Sequence, residues 1–128
     1  MAGNTQIHQG KQPVRKHYIA EWAEVRGMDA MDLLNAINEA ASMDQPVIDK
    51  SQVYRWFAGQ LPRPATQIRI AAALQLLDPE TGAPDPELLL THPDYEWFAR
   101  KTRGRSRQDI ERMKGMIDLA FPPTGTDN

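Results

Sequence analysis

Apolar residues recur at three- and four-residue spacing along most of the chain, a period that predicts helices rather than strands. Tyr18, Ile19, Trp22 and Val25 mark one face of a first helix over about 14–26, and Gly27 supplies its C-terminal stop. A second helix starts near Asp29, with Met31, Leu33, Leu34, Ile37, Ala40 and Ala41 as its inner side, and fades at Ser42. Residues 42–48 form a loop broken by Pro46. Asp49 is a suitable N-cap for a third helix, which ends at Gly59. A fourth spans about 65–77 with Ile68, Ala71, Ala72 and Leu74 inward. Residues 78–84 read as a surface loop, and Asp85-Pro86 opens a short helix. Another helix starts at Thr91, with a capping box to Asp94, and is anchored by Tyr95, Trp97 and Phe98. The last starts at Ser106, with a capping box to Asp109, and carries an Ile110, Met113, Ile117, Ala120 and Phe121 stripe. The expected class is all-α. Its domains are a polar arm over 1–13, a helical domain over 14–77, an acidic loop and C-terminal helices over 78–121, and a tail over 122–128.

Composition narrows the function classes. The 128 residues suffice for one domain with a modest core. Cysteine is absent, which removes disulfides, thiol catalysis and Cys-based zinc sites. His8, His17 and His92 lack metal-ligand spacing, and neither a Gly-rich phosphate loop nor a nucleophile elbow appears. The expectation is no metal, no cofactor and no catalysis. The polar N-terminus and the lack of a long apolar run point to a cytoplasmic protein without a membrane span.

The formal net charge of −2 hides a strong segregation. From Lys50 to Leu77 there are four cations and no acid; from Asp78 to Glu96 six acids and no Lys or Arg; from Arg100 to Arg107 five cations and no acid. A locally basic surface attracts phosphate whatever the rest of the chain carries. The third helix joins that basic block. Val53, Trp56 and Phe57 share its apolar face, which leaves Lys50, Ser51, Gln52, Tyr54 and Arg55 on the remainder.

Val53, Trp56 and Gly59, followed by Pro62 and by Ala71 and Leu74 in the next helix, resemble the recognition helix and its successor in the Xre/lambda-repressor-like helix-turn-helix family. Arg26-Gly27 at the end of the first helix and the Leu-rich second helix fit the same pattern. The resemblance covers about residues 14–77. Two features depart from it: Ile37 lies sixteen residues before Val53, a longer connection than the family's, and Phe57 stands where many members have an acid. The resemblance implies a lambda-repressor-like domain of four or five helices plus C-terminal helices. It also implies a homodimer that binds double-stranded DNA and regulates transcription in a bacterium, phage or mobile element.

The major groove admits one α-helix, whose N-terminal side chains reach base edges. Gln52 suits adenine and Arg55 suits guanine, while Lys50, Ser51 and Tyr54 suit bases or phosphates. Gln60, Arg63, Thr66 and Arg69 are expected at phosphates, and Val53, Trp56, Phe57 and Gly59 as the scaffold beneath. The basic run 100–107 is a further phosphate contact or a solvated linker, and Lys11, Arg15 and Lys16 belong to an arm with or without a role. The C-terminal stripe is either packing within the chain or a dimer seam. The competing function is a protein-interaction module on the same scaffold, an antitoxin or anti-activator, that uses 78–121 with Tyr95, Trp97 and Phe98.

Overall fold

The computed structural model describes residues 17–122. The arm over 1–13, Lys11, Arg15, Lys16 and most of the tail lie outside them. The described residues form six α-helices: α1 (Ile19–Val25), α2 (Ala30–Glu39), α3 (Lys50–Phe57), α4 (Pro64–Ala73), α5 (Pro93–Thr102) and α6 (Arg107–Ala120). A 3-10 segment, Pro86–Leu90, precedes α5. Among the described residues the only β feature is an isolated bridge between Leu77 and Pro84. The all-α expectation stands.

The chain divides into two compact units, the first ending at Pro93 and the second beginning at Asp94. In the first, α2 packs on α1, α3 and α4, and α1 packs on α3. Ile19, Trp22, Leu33, Ile37, Val53, Trp56, Ile70 and Leu74 are all buried together. The core extends past the expected boundary at 77, because Leu89 is buried in it and the 3-10 segment packs on α4. The Trp22 indole N–H donates to the carbonyls of both Leu88 and Thr91, at 2.9 Å each, and thereby ties this segment to α1.

Several boundaries and inward assignments change. α1 begins at Ile19, after a non-helical His17 and Tyr18, and α4 stops at Ala73, short of 77. Val25, Met31 and Ile68, expected inward, are exposed. Each lies at the edge of its apolar stripe, where the periodic pattern does not distinguish rim from core. α5 starts at Pro93, one residue later than a Thr91 cap would place it.

Helix ends follow from local chemistry. Asp29 and Asp32 form a capping box at α2, as do Asp49 and Gln52 at α3. Ser106 caps α6 by accepting the Asp109 amide at 3.0 Å. At α3 the Gln60 amide donates to the Arg55 carbonyl and the Gly59 amide to that of Trp56, both at 2.9 Å, which is a Schellman motif. Gly59 has φ +117°, a conformation that side-chain-bearing residues rarely adopt. The same pair of bonds closes α4, but there the left-handed position is Gln75, with φ +59°. The Arg26 guanidinium assists that end, with its Nε donating to the Leu74 carbonyl at 2.6 Å.

The second unit, described over residues 94–122, holds α5 and α6 and is of different quality. No residue of α6 is buried. Tyr95, Trp97 and Phe98, expected as anchors, are exposed. Ile110 and Met113 are half-buried, and Ile117, Ala120 and Phe121 are exposed. Two short helices cannot enclose a stripe this wide between themselves.

Candidate nucleic-acid interface

α3 is held by two deeply sunk side chains. Val53 is 1% exposed and Trp56 4%. Phe57 packs on the core but is half-buried, so it shields the edge of the helix rather than anchoring it. With these inward, Ser51, Tyr54 and Arg55 project outward and are exposed, and Gln52 is half-buried beside them. Lys50 is exposed too, one turn before Tyr54 at the N-terminal end of that row, on the edge nearest Phe57.

The outward row is cross-linked to itself. The Asp49 carboxylate accepts from the Gln52 amide at 3.0 Å and from the Ser51 hydroxyl at 2.7 Å. These two donors hold the Asp49 carboxyl below the usual carboxylate range. The Gln52 side-chain oxygen in turn accepts from the Asp49 amide at 3.1 Å. Arg55 donates from Nε to the Gln60 side-chain oxygen at 3.1 Å and leans from Nη1 toward the Ser51 hydroxyl at 3.4 Å. A guanidinium carries five N–H donors, so three remain for a ligand. For Gln52, the capping box uses the carbonyl and leaves the NH2. A bidentate contact to adenine therefore requires the box to open, and Arg55 is the better-prepared reader.

A groove of about 440 Å³ runs beside this row, bounded by Pro46, Gln52, Arg55, Gln60, Arg63 and Thr66. Arg63 and Gln60 are exposed on its rim and Thr66 is half-buried. No side chain caps α4, whose first residue is Pro64. Arg69 has another task. Its Nη1 donates to the Pro46 carbonyl at 2.8 Å, and its Nη2 is enclosed without a hydrogen-bond partner. It braces the 42–48 loop, and its expected phosphate contact would compete with that brace.

That loop is the connection between α2 and α3. Asn38, near the end of α2, spans it. Its Nδ2 donates to the Ile48 carbonyl at 2.8 Å, and its Oδ1 accepts the Ile48 amide at 2.9 Å. Ile48 itself is 3% exposed and enters the core. The loop thus turns outward, Met43 and Val47 fully or largely in solvent, while its two ends are clamped so that α3 packs on α2. Asn38, Ile48 and Arg69 were not recognised as a clamp from the sequence, since no local pattern links residues ten and more positions apart.

His17 is missed as well. It is buried, its Nε2 donates to the Gln60 backbone carbonyl at 2.8 Å, and its Nδ1 accepts the Ile19 amide at 3.2 Å. With these partners Nε2 is the ring nitrogen that donates and Nδ1 the one that accepts. His17 therefore ties the start of α1 to the turn after α3.

Among the described residues no group of three His, Asp or Glu side chains could hold a metal ion. No described helix is long and apolar enough to cross a membrane. Compared with protein-family models, with curated proteins and with solved structures, the chain matches none.

Proposed function

We propose that the protein is a sequence-specific, double-stranded-DNA-binding regulator of transcription that places α3 in the major groove. The observation that carries this reading is the burial of Val53 and Trp56 beneath an exposed row of Ser51, Tyr54 and Arg55, in a stretch from 50 to 77 that carries cations and no acid. A helix presented this way fits the groove. Arg55 reads guanine, Gln52 donates from its free NH2 or opens its box to pair with adenine, and Lys50, Ser51 and Tyr54 contact neighbouring bases or phosphates. Gln60, Arg63 and Thr66 hold the backbone, with Arg69 acting through the loop it braces. Two copies acting together read two half-sites about one helical turn apart.

The test is titration of the full chain against a duplex library at two salt concentrations. A specific site with a steep salt slope is expected. Arg55→Ala removes discrimination of about 1–3 kcal/mol at one base position. Arg63→Ala weakens all duplexes alike and lowers the salt slope by about 1. Binding with no preferred sequence, or none at low salt, overturns the reading. The protein-interaction alternative draws on the exposed Trp97 and Phe98; it prevails if the duplex library finds no site and substitutions at those two residues abolish a protein complex.

A further inference from the structure

Gln60 follows the glycine that ends α3, and its backbone and side chain are engaged at once. Its backbone amide donates to the Arg55 carbonyl at 2.9 Å and closes the helix. Its carbonyl accepts from Nε2 of His17 at 2.8 Å, and His17 is 1% exposed. Its side-chain oxygen accepts from Nε of Arg55 at 3.1 Å. A guanidinium only donates, so this bond fixes which end of the Gln60 amide meets Arg55 and leaves the NH2 over. The backbone of Gln60 is thus tied to the buried His17. Its side chain stays exposed on the groove that it lines with Gln52, Arg55, Arg63 and Thr66.

The bond at Nε has a consequence for what Arg55 offers. A guanidinium presents two forks to a pair of acceptors, one formed by Nε with Nη2 and one by Nη1 with Nη2. Gln60 occupies Nε, which closes the first fork and leaves the second. Ser51 meets Nη1 at 3.4 Å, longer than an ordinary N–H···O bond, and engages one of its two hydrogens at most. An exposed arginine loses much rotamer freedom when it binds. One that is held beforehand loses less, and gains only in the orientation in which it is held.

We propose that Gln60 is a positioning residue for base readout: anchored through its backbone, it holds Arg55 at Nε so that the Nη1–Nη2 fork is the one offered to O6 and N7 of guanine. The inference rests on the DNA-binding reading and deepens it. Gln60 keeps its phosphate contact through the NH2, so one side chain orients the reader and grips the backbone beside it.

Gln60→Ala and Gln60→Glu in the full chain separate the two roles, because the backbone bonds to Arg55 and from His17 survive both changes; circular dichroism checks that the helices do too. Without DNA, nitrogen-edited NMR follows the Arg55 Nε–H, identified as the signal that Arg55→Lys removes. It should exchange slowly with water in the parent and in Gln60→Glu, and about tenfold faster in Gln60→Ala, where its acceptor is gone. With DNA, each protein is titrated against the preferred duplex and against the same duplex with the guanine read by Arg55 replaced by adenine. Gln60→Ala should lower the ratio of the two affinities about threefold to tenfold, the worth of one pre-ordered side chain. Gln60→Glu keeps the acceptor but sets a carboxylate oxygen against the phosphates, so it should preserve the ratio and weaken both duplexes alike. An Nε–H that exchanges equally fast in the parent and in Gln60→Ala overturns the proposal. So does Gln60→Ala weakening both duplexes with the ratio unchanged, the mark of a phosphate contact alone; either result leaves the DNA reading standing. A parent that prefers no duplex overturns the DNA reading itself, and this inference with it.

Discussion

At the scale of single residues, the decisive side chains of the first unit are polar. Asn38 satisfies both backbone groups of Ile48, Arg26 holds the α4 carbonyl end, and His17 joins α1 to Gln60. Each replaces a solvent bond that burial removed, and a group left unmatched there costs about 1–3 kcal/mol. Asn38→Ala should therefore lower stability in urea by about 1–3 kcal/mol and weaken DNA binding more than a distant core change of equal cost, because it frees the loop that sets α3. Unchanged stability together with unchanged DNA affinity would show that the clamp is dispensable. None of these partnerships is visible in the chain as a string: Asn38 reads as one more exposed polar position on α2, and His17 as an isolated histidine.

Elements tell a different story, because their limits are mostly local. Asp29, Asp49 and Ser106 cap their helices where expected, and Gly27 and Gly59 stop theirs. α4 is the exception. Its left-handed stop is Gln75, a residue that seldom takes this conformation, and the helix ends there because Leu76 turns into the core and Arg26 holds the last carbonyls. For α3 the cap is also a pH sensor. The Asp49 carboxyl lies below its ordinary value of about 4. A carboxyl depressed by folding contributes stability that is complete above the unfolded value and is lost as pH falls through the folded one. The amides of α3 should therefore lose exchange protection on acidification below about pH 4, earlier than those of α4, which has no titrating cap. Asp49→Asn, which caps without titrating, should flatten that response; an identical acid profile in the variant would place its origin elsewhere.

For the whole molecule the contrast between its two units is the main physical fact. The first unit buries a continuous core shared by α1 to α4 and the 3-10 segment, whereas α6 buries nothing fully. Its surface ion pairs, Arg107 with Glu111 and Lys114 with Glu111, add little at such exposure. Hydrogen exchange should show α6 far less protected than α2 or α4, because none of its residues is buried. Equal protection of α6 and α2 would mean that burial does not set the stability of α6.

The sequence by itself determined the helical class, the caps, the inward Val53 and Trp56 and the basic stretch around α3, since periodicity and capping are set within a few residues. What the tertiary structure decided was which stripe residues reach the interior, that the first unit runs on through Leu89, that Arg69 braces a loop, and that the 42–48 loop turns outward while α3 packs on α2. Those outcomes depend on residues far apart in the chain competing for the same buried volume and the same hydrogen bonds, and no local pattern records the result of that competition.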